Sequence, residues 1–541
     1  MKKVISILSC ILLVCFVVSA LAACKSDGVE TDELVVYNWA DYIFDEKLTD
    51  FKDYYKELTG KNIQITYVTF DTNETMLTRL TQGDSNVDVV CPSEYAIQKL
   101  IEANKLIPLN YFDESKYTAS FSNSIKANYV HNSDNVETGI IEKVSDEDTF
   151  GKLVIKETNE TVSMVDYFVP YMYGTLGILY NKSEFQKLGI YSEEIMNKAN
   201  WGILFNDDGE GNLLSSGLTG SILMKDSIRD SYAATIFYLL ESGRLEGLMD
   251  EDGVLYTDLS ADRLINAVDD QLLEIVRNVL TEQKHQLFGY EVDFGKDDLL
   301  QGNAIVDLAW SGDAMYAVEE SEGKLAYYVP HGAGNIWFDG WVVPKTYNPD
   351  HLDAIKIFIN YLNTPYVAAE NYLEIGYTPA IKPDVLLNDD SEGGARSVLA
   401  EGYVVNAPEY WDCKDANGKA ITQFDYDSWE EFEQYFFHSV DEIDGSNWRY
   451  PFVSATLNSD SDSPYRRELD TLGVMRDFGN KNKAVVTAWN YARSAGVSAL
   501  PLLGWTALAV AVALGGLFAV IGIKRFRSHT VTVHKSVSQN A

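Results

Sequence analysis

Downstream of an apolar N-terminal stretch, short apolar runs alternate with helical patterns. Leu34-Val35-Val36-Tyr37-Asn38 reads as a buried strand. Leu48, Phe51, Tyr55 and Leu58 then fall at helical spacing up to Gly60, a natural C-cap. Asn62–Val68 predicts a second strand, Thr75–Leu80 a short helix, Val87–Val90 a third strand ended by Pro92, and Ala96–Ala103 another helix. Near-continuous apolar strands alternating with helices predict an α/β sheet buried on both faces. In such sheets ligands bind beyond the carboxyl ends of the strands. Asn38-Trp39-Ala40-Asp41-Tyr42 and Pro92-Ser93-Glu94-Tyr95 lie at two such ends, which marks them as candidate site segments.

Further along, residues 118–165 are polar, acidic and loop-like, and read as a surface insertion. Order resumes at Phe168-Val169-Pro170-Tyr171-Met172-Tyr173-Gly174. A helix is predicted from Asp226 to Leu240, with Asp226 or Ser227 as N-cap. Ile305–Ala309 predicts a strand that runs into Trp310-Ser311-Gly312-Asp313. Ile336-Trp337-Phe338-Asp339 precedes a strand at Gly340–Val343, and His351–Leu362 a helix. The stretch 385–470, rich in Asp, Ser, Tyr and Trp, gives no assignable pattern, and no internal repeat is visible.

The two ends carry their own apolar runs. Lys2 and Lys3 precede Val4–Ala20, followed by Leu21-Ala22-Ala23-Cys24. A charged start, a run too short for a comfortable span and small residues before a cleavage point make a secretory signal. The tetrapeptide looks like a bacterial lipobox, with Cys24 the lipidated first residue of the mature chain. Leu500–Ile523 is long enough to cross a bilayer as a helix. Lys524, Arg525 and Arg527 follow it, which puts the tail in the cytoplasm and the bulk of the chain outside. The expected organisation is a signal peptide over 1–23, a tether over 24–33, lobe 1 over 34–168 with the insertion 118–165, and lobe 2 over 169–338. A return to lobe 1 follows over 339–385, then an extension over 386–495, a transmembrane helix over 500–523 and a cytoplasmic tail over 524–541. Cys10 and Cys15 leave with the signal, and spacing alone does not decide whether Cys91 and Cys413 pair.

Charge and composition narrow the partners. Among 541 residues, 81 Asp and Glu against 43 Lys and Arg give a formal charge of −38. Nucleic acid is excluded, because its binders neutralise phosphates with Lys and Arg. An acidic surface attracts cations from a distance, but also serves solubility alone. Aromatic residues make up 12% of the chain, and they recur beside acids at predicted strand ends: Trp39/Asp41/Tyr42, Glu94/Tyr95, Trp310/Asp313 and Trp337/Asp339. An alkyl ammonium needs carboxylate oxygens for its N–H donors and ring faces for its charge and methylenes. A lone Trp near an Asp is ordinarily a satisfied core or surface aromatic; the recurrence is what points to a cationic ligand.

Tyr37-Asn38-Trp39-Ala40-Asp41-Tyr42, Asn73-Glu74-Thr75-Met76, Asp88-Val89-Val90-Cys91-Pro92-Ser93-Glu94-Tyr95, Val169-Pro170-Tyr171-Met172-Tyr173-Gly174-Thr175, Ala309-Trp310-Ser311-Gly312-Asp313, Trp337-Phe338-Asp339 and Ile375-Gly376-Tyr377 together resemble the spermidine/putrescine-binding proteins, in the family's order across roughly residues 34–380. The resemblance implies a two-lobed type II periplasmic-binding-protein fold of the α/β class that closes around its ligand by hinge motion. It further implies that Trp39, Tyr95 and Trp310 line the slot, that Trp337 stacks on the ligand, and that Asp339 is the principal carboxylate. Asp313 follows Trp310 as in the putrescine-preferring branch, Ser93 and Tyr377 match polar contacts, and Asp230 replaces a frequent Glu on an acid-bearing helix start. Asp41, Tyr42 and Glu94 complete the candidate set. Ser227 stands where spermidine-preferring members often carry an acid, and a family glutamine has no clear counterpart around Met475–Asp477. The implied partners are a polyamine, the permease subunits of an ABC importer and the membrane; no cofactor or metal is expected.

The rival readings find less support. HExxH, GxSxG, CxxC and P-loop patterns are all absent, and the chain has only seven His, so no enzyme constellation appears. A calcium loop at Asp415-Ala416-Asn417-Gly418 fails, since Cys413 and Phe424 fall on its first and twelfth positions, and one at Asp250-Glu251-Asp252-Gly253 would begin at Leu248. A carbohydrate receptor on the same fold is the alternative left open by the paired carboxylates and aromatics. A structural adhesin has only the Tyr-rich 385–470 region to support it.

Overall fold

The computed structural model of the chain describes residues 29–82, 86–119, 121, 133–136, 138–190, 201–209, 211–321, 324–330, 332–382, 385–386, 394–395, 397–399 and 471–495. The Leu21–Cys24 tetrapeptide, the 500–523 run, Cys413 and residues 400–470 lie outside them. Among the described residues no helix is long and apolar enough to cross a membrane.

Two sheets are built on one plan. In the first, β1 (Thr31–Trp39) lies between β2 (Asn62–Phe70) and β3 (Val89–Val90), all parallel. The register pairs Val36 with Tyr67 on one side and with Val89 on the other. Parallel strands need crossovers, and the helices Asp45–Thr59 and Asn73–Thr81 supply them. Gly60 ends the first of these helices at φ 75°, a left-handed turn that a side chain would strain. In the second sheet, β8 (Ile222–Lys225) lies between β9 (Leu287–Glu291) and β10 (Val306–Trp310), again parallel. In both sheets the order is second, first and third strand, and two antiparallel strands of the second sheet run on toward the first.

Those two strands are β7 (Val169–Asn181) and β12 (Gly334–Trp341). The second half of β7 pairs with β10 and with β11 (Leu325–Tyr328); its first half pairs with β12 from Ile336↔Thr175 to Trp341↔Val169. The end of β12 reaches β3 through the bridges Val90↔Val342 and Ser93↔Asp339. The α/β class expected from the strand pattern and the two lobes implied by the resemblance are both present, with β7 and β12 running from one lobe to the other. Phe51 and Tyr55 pack with Phe358 and Ile355 on one face of the first sheet, and Met76, Leu80, Ile97 and Ile101 on the other.

Three local expectations need correction. Residues 336–339 are not a lead-in to a separate strand; they lie inside β12, because the buried run from Gly334 to Trp341 is continuous. Within 118–165 there is ordered structure: a helix Thr138–Ser145 and a hairpin of β5 (Leu153–Ile155) and β6 (Glu160–Val162). Ile140 and Val144, one helical turn apart, and Phe150 and Leu153 are fully or almost fully buried in the main core. Their charged neighbours mask this apolar face in a linear reading. Finally, β3 is two residues long rather than four, and Val87 precedes it as a buried core residue.

Candidate functional site

The carboxyl ends of the parallel strands in both lobes face one another across a cleft of about 930 Å³. Lobe 1 contributes Trp39, Asp41 and Tyr42 from the end of β1 onward, Phe70 to Glu74 from the end of β2 onward, and Ser93, Glu94 and Tyr95 after β3. Lobe 2 contributes Lys225, Ser227 and Asp230 from the end of β8 onward, Glu291, Asp293 and Lys296 from the end of β9 onward, and Trp310 and Asp313 from the end of β10 onward. Trp337 and Asp339 come from the crossing strand β12, and Tyr377 from the turn before β14 (Thr378–Pro379). Every residue singled out from the sequence for this site therefore lines the same cleft.

Asp339 sits where β12 carries a bulge, the register shifting between Asp339 and Gly340. A bulge re-aims a side chain, and here the carboxylate turns into the cleft. The Tyr42 hydroxyl donates to its Oδ2 at 2.8 Å, while Oδ1 has no hydrogen-bond partner among the described residues. No ion pair reaches Asp339 among those residues. Burial pushes its pKa up to about 7, with hydrogen bonds from Ser93 and Tyr42 offsetting part of the rise. Beside it, Glu94 is fully buried; its Oε2 accepts from the Phe338 backbone N–H at 3.2 Å and its Oε1 is unpartnered. Burial, reinforced by the Asp339 charge, raises the Glu94 pKa well above the ordinary carboxylate value.

Rings wall the slot. Tyr377 meets Tyr42 edge-on at 4.9 Å and Trp337 at 5.8 Å; Trp39 leans on Phe70 at 4.5 Å. The indole N–H groups of Trp39 and Trp337 have no partner among the described residues. Two glycines allow this packing. A Cβ at Gly174 would lie 2.4 Å from the Trp337 ring, and one at Gly312 would lie 2.3 Å from the Tyr377 ring.

At the lobe 1 rim the Tyr95 hydroxyl donates to Glu74 Oε1 at 3.3 Å, and burial raises the Glu74 pKa. Facing it, Asp230 lies in the first turn of the helix Ile228–Glu241, whose N-cap Ser227 accepts from the Asp230 backbone N–H at 3.4 Å. Burial raises the Asp230 pKa too, against hydrogen bonds from Ser227 and Trp310 and the Lys225 charge.

The sequence reading missed the other end of lobe 2. Lys225, 1% exposed, pairs with Glu291 at 2.5 Å, donates to the Val292 carbonyl at 2.9 Å, and holds its ammonium 4.1 Å from the Trp310 ring centre. Lys296 pairs with Asp313 at 3.1 Å, and Lys225 lies 3.9 Å from the same carboxylate. Asp293 is pushed up to about 6 by burial and the Asp313 charge. Glu291-Val292-Asp293 follow a parallel strand as the recognised segments do, so position after β9 was the available signal. Met475, from the C-terminal segment around which the family glutamine has no counterpart, also lines the cleft. Asp477 pairs with Lys99 of lobe 1 at 3.0 Å, and the Val474 backbone N–H donates to Asp262 of lobe 2 at 2.9 Å, so this segment bridges the lobes.

Comparison with known proteins identifies the family. A profile of the family described as bacterial extracellular solute-binding protein matches residues 51–393. The putrescine-binding periplasmic protein PotF of Escherichia coli is 25% identical over 360 residues, covering 66% of this chain and 80% of that one. The putrescine-binding periplasmic protein SpuD of Pseudomonas aeruginosa is 24% identical over 350 residues, covering 64% and 77%. The crystal structure of the spermidine/putrescine ABC transporter substrate-binding protein PotD from Streptococcus pneumoniae superposes with a TM-score of 0.44 at 24% identity, covering 74% of this chain and 97% of that one.

Proposed function

The chain belongs to the bacterial extracellular solute-binding protein family, and from that premise we propose that it captures polyamines, spermidine or putrescine, between its lobes and delivers them to the permease of an ABC importer. The observation that carries this reading is Asp339: a carboxylate almost wholly buried among aromatic rings, with a free oxygen and no cation of its own. An alkyl ammonium supplies the missing donor and charge, and its methylenes cover the rings of Trp337 and Tyr377. A sugar would leave the buried carboxylates uncompensated, which disfavours the carbohydrate alternative.

In this reading Trp39, Tyr95, Trp310 and Trp337 hold the ligand's carbon chain. Asp339 takes one ammonium, Asp230 receives another, and Ser93, Tyr42 and Tyr377 orient the acceptors. Asp41 and Glu94 shape the ends of the slot. The lobes, 34–168 with 339–385 and 169–338, close about β7 and β12 as hinge strands. Two anchors hold the receptor at the membrane: a lipid on Cys24 and a span over 500–523, with 524–541 cytoplasmic.

The test is a thermal-shift and calorimetric screen of the full chain in detergent. Spermidine or putrescine raises the melting temperature, whereas glucose and maltose do not, since a ligand that binds only the folded state stabilises it. Absence of a shift with either polyamine at millimolar concentration sinks the proposal. For the anchors, Cys24→Ala abolishes lipid labelling yet leaves the chain membrane-bound; its release into the medium would refute the span.

A further inference from the structure

Two carboxylates of the cleft lie close to Tyr377, and the protein treats them differently. Asp339 has an unpartnered oxygen and no cation. Asp313 already has two ammonium groups: Lys296 at 3.1 Å on Oδ1 and Lys225 at 3.9 Å on Oδ2. Lys225 is committed elsewhere as well, to Glu291 and to the Val292 carbonyl, and its side chain is 2% exposed. Lys296 is different. It stands in the first turn of the short helix Gly295–Leu300 on the cleft wall, with Asp313 as its one ion pair among the described residues, and its side chain is 17% exposed. Its charge also feels Asp41, which belongs to lobe 1. It thus sits at the mouth between the lobes, on the second carboxylate of the cleft.

We propose that Lys296 is a specificity-determining residue: its ammonium fills the amine position at Asp313, so the cleft discriminates against short diamines that span Asp339 and Asp313. Ligands that place their further charge toward Asp230 and Glu74 escape this penalty. Those two acids carry raised pKa values from burial, and neither makes an ion pair among the described residues. A second ammonium at Asp313 has to displace Lys296 or sit beside it, and like charges brought together in a partly dry cleft repel strongly. The inference rests on the polyamine reading of the same cleft.

The experiment titrates 1,4-diaminobutane and n-butylamine, equal in carbon chain but differing by one ammonium, into the full chain in detergent. Wild type, Lys296→Met, Lys296→Gln and Lys296→Arg are compared by calorimetry. The expected result is that the ratio of diamine to monoamine affinity rises at least about tenfold in Lys296→Met and Lys296→Gln, and stays near the wild-type ratio in Lys296→Arg. Using two neutral variants guards against one that fails to fold. A ratio that stays unchanged or falls in the neutral variants, with both amines still binding, overturns this inference alone. No binding of either amine, or of spermidine, to the wild type overturns it together with the reading it rests on.

Discussion

Replacing Asp339 with asparagine separates what this carboxylate does for the ligand from what it costs the empty protein. Its pKa of about 7, against an ordinary aspartate value near 4, corresponds to about 4 kcal/mol against the charged form. The folded chain therefore holds a proton that the unfolded chain releases between about pH 4 and 7, and stability falls as pH rises through that window. At pH 8 nearly the full 4 kcal/mol weighs on the empty cleft; at pH 5 about 1.5 kcal/mol remains. Asparagine removes this cost but weakens the hydrogen bonds from Tyr42 and Ser93, each a contribution of about 1 kcal/mol. The ligand-free Asp339→Asn protein should accordingly be more stable than wild type by about 2 kcal/mol at pH 8 and close to equal at pH 5. Polyamine affinity should drop at least about thirtyfold, since losing one partner of a desolvated charge pair costs about 2–5 kcal/mol. Urea midpoints at the two pH values and isothermal titration at pH 8 decide both points. A variant less stable than wild type at pH 8 would mean that Asp339 is held by compensating charge. Unchanged affinity would refute its assignment as the principal carboxylate.

Affinity itself should depend on pH. Only the ionised fraction of Asp339 offers a charge, so polyamine binding should weaken about tenfold from pH 8 to pH 6, and calorimetry showing flat affinity across that range would contradict the assignment. Trp337→Phe keeps a ring face, so its loss of affinity should be smaller than that of Asp339→Asn when both are titrated side by side. Gly312→Ala places a methyl 2.3 Å from the Tyr377 ring; melting curves should show about 1–3 kcal/mol of destabilisation, accompanied by weaker binding. A chain ending at residue 470 loses the helix Asn482–Ser494, whose Val485, Trp489 and Ala492 are buried in the core, and should unfold at markedly lower denaturant.

Much of this protein is legible in local patterns. Near-continuous apolar runs located β1 and β2, because a parallel sheet is buried on both faces, and the 3.6 period located the helix that Gly60 ends. Strand-end positions located Trp39, Ser93 to Tyr95, Trp310 and Asp313, because a doubly wound sheet places its cleft at the carboxyl ends of its strands. Trp337 and Asp339 could be named but not placed by pattern alone: they lie inside β12, where a bulge rather than a strand end turns the carboxylate into the cleft. The charged flanks of Ile140 and Val144 hid an apolar face that shows only when the helix is wound and packed.

What tertiary structure alone decided is the electrostatic state of the site. Local pattern does not distinguish Asp313 from Asp339, since each is an acid close behind a tryptophan, and the resemblance alone gives them different roles. Folding brings Lys296 from the segment after β9 and Lys225 from the adjoining strand β8 onto the first, and leaves the second with an unpartnered oxygen. A carboxylate's pKa and its appetite for a ligand cation depend on desolvation and on charges a few ångströms away. Those distances are set by how strands far apart in the chain are laid side by side.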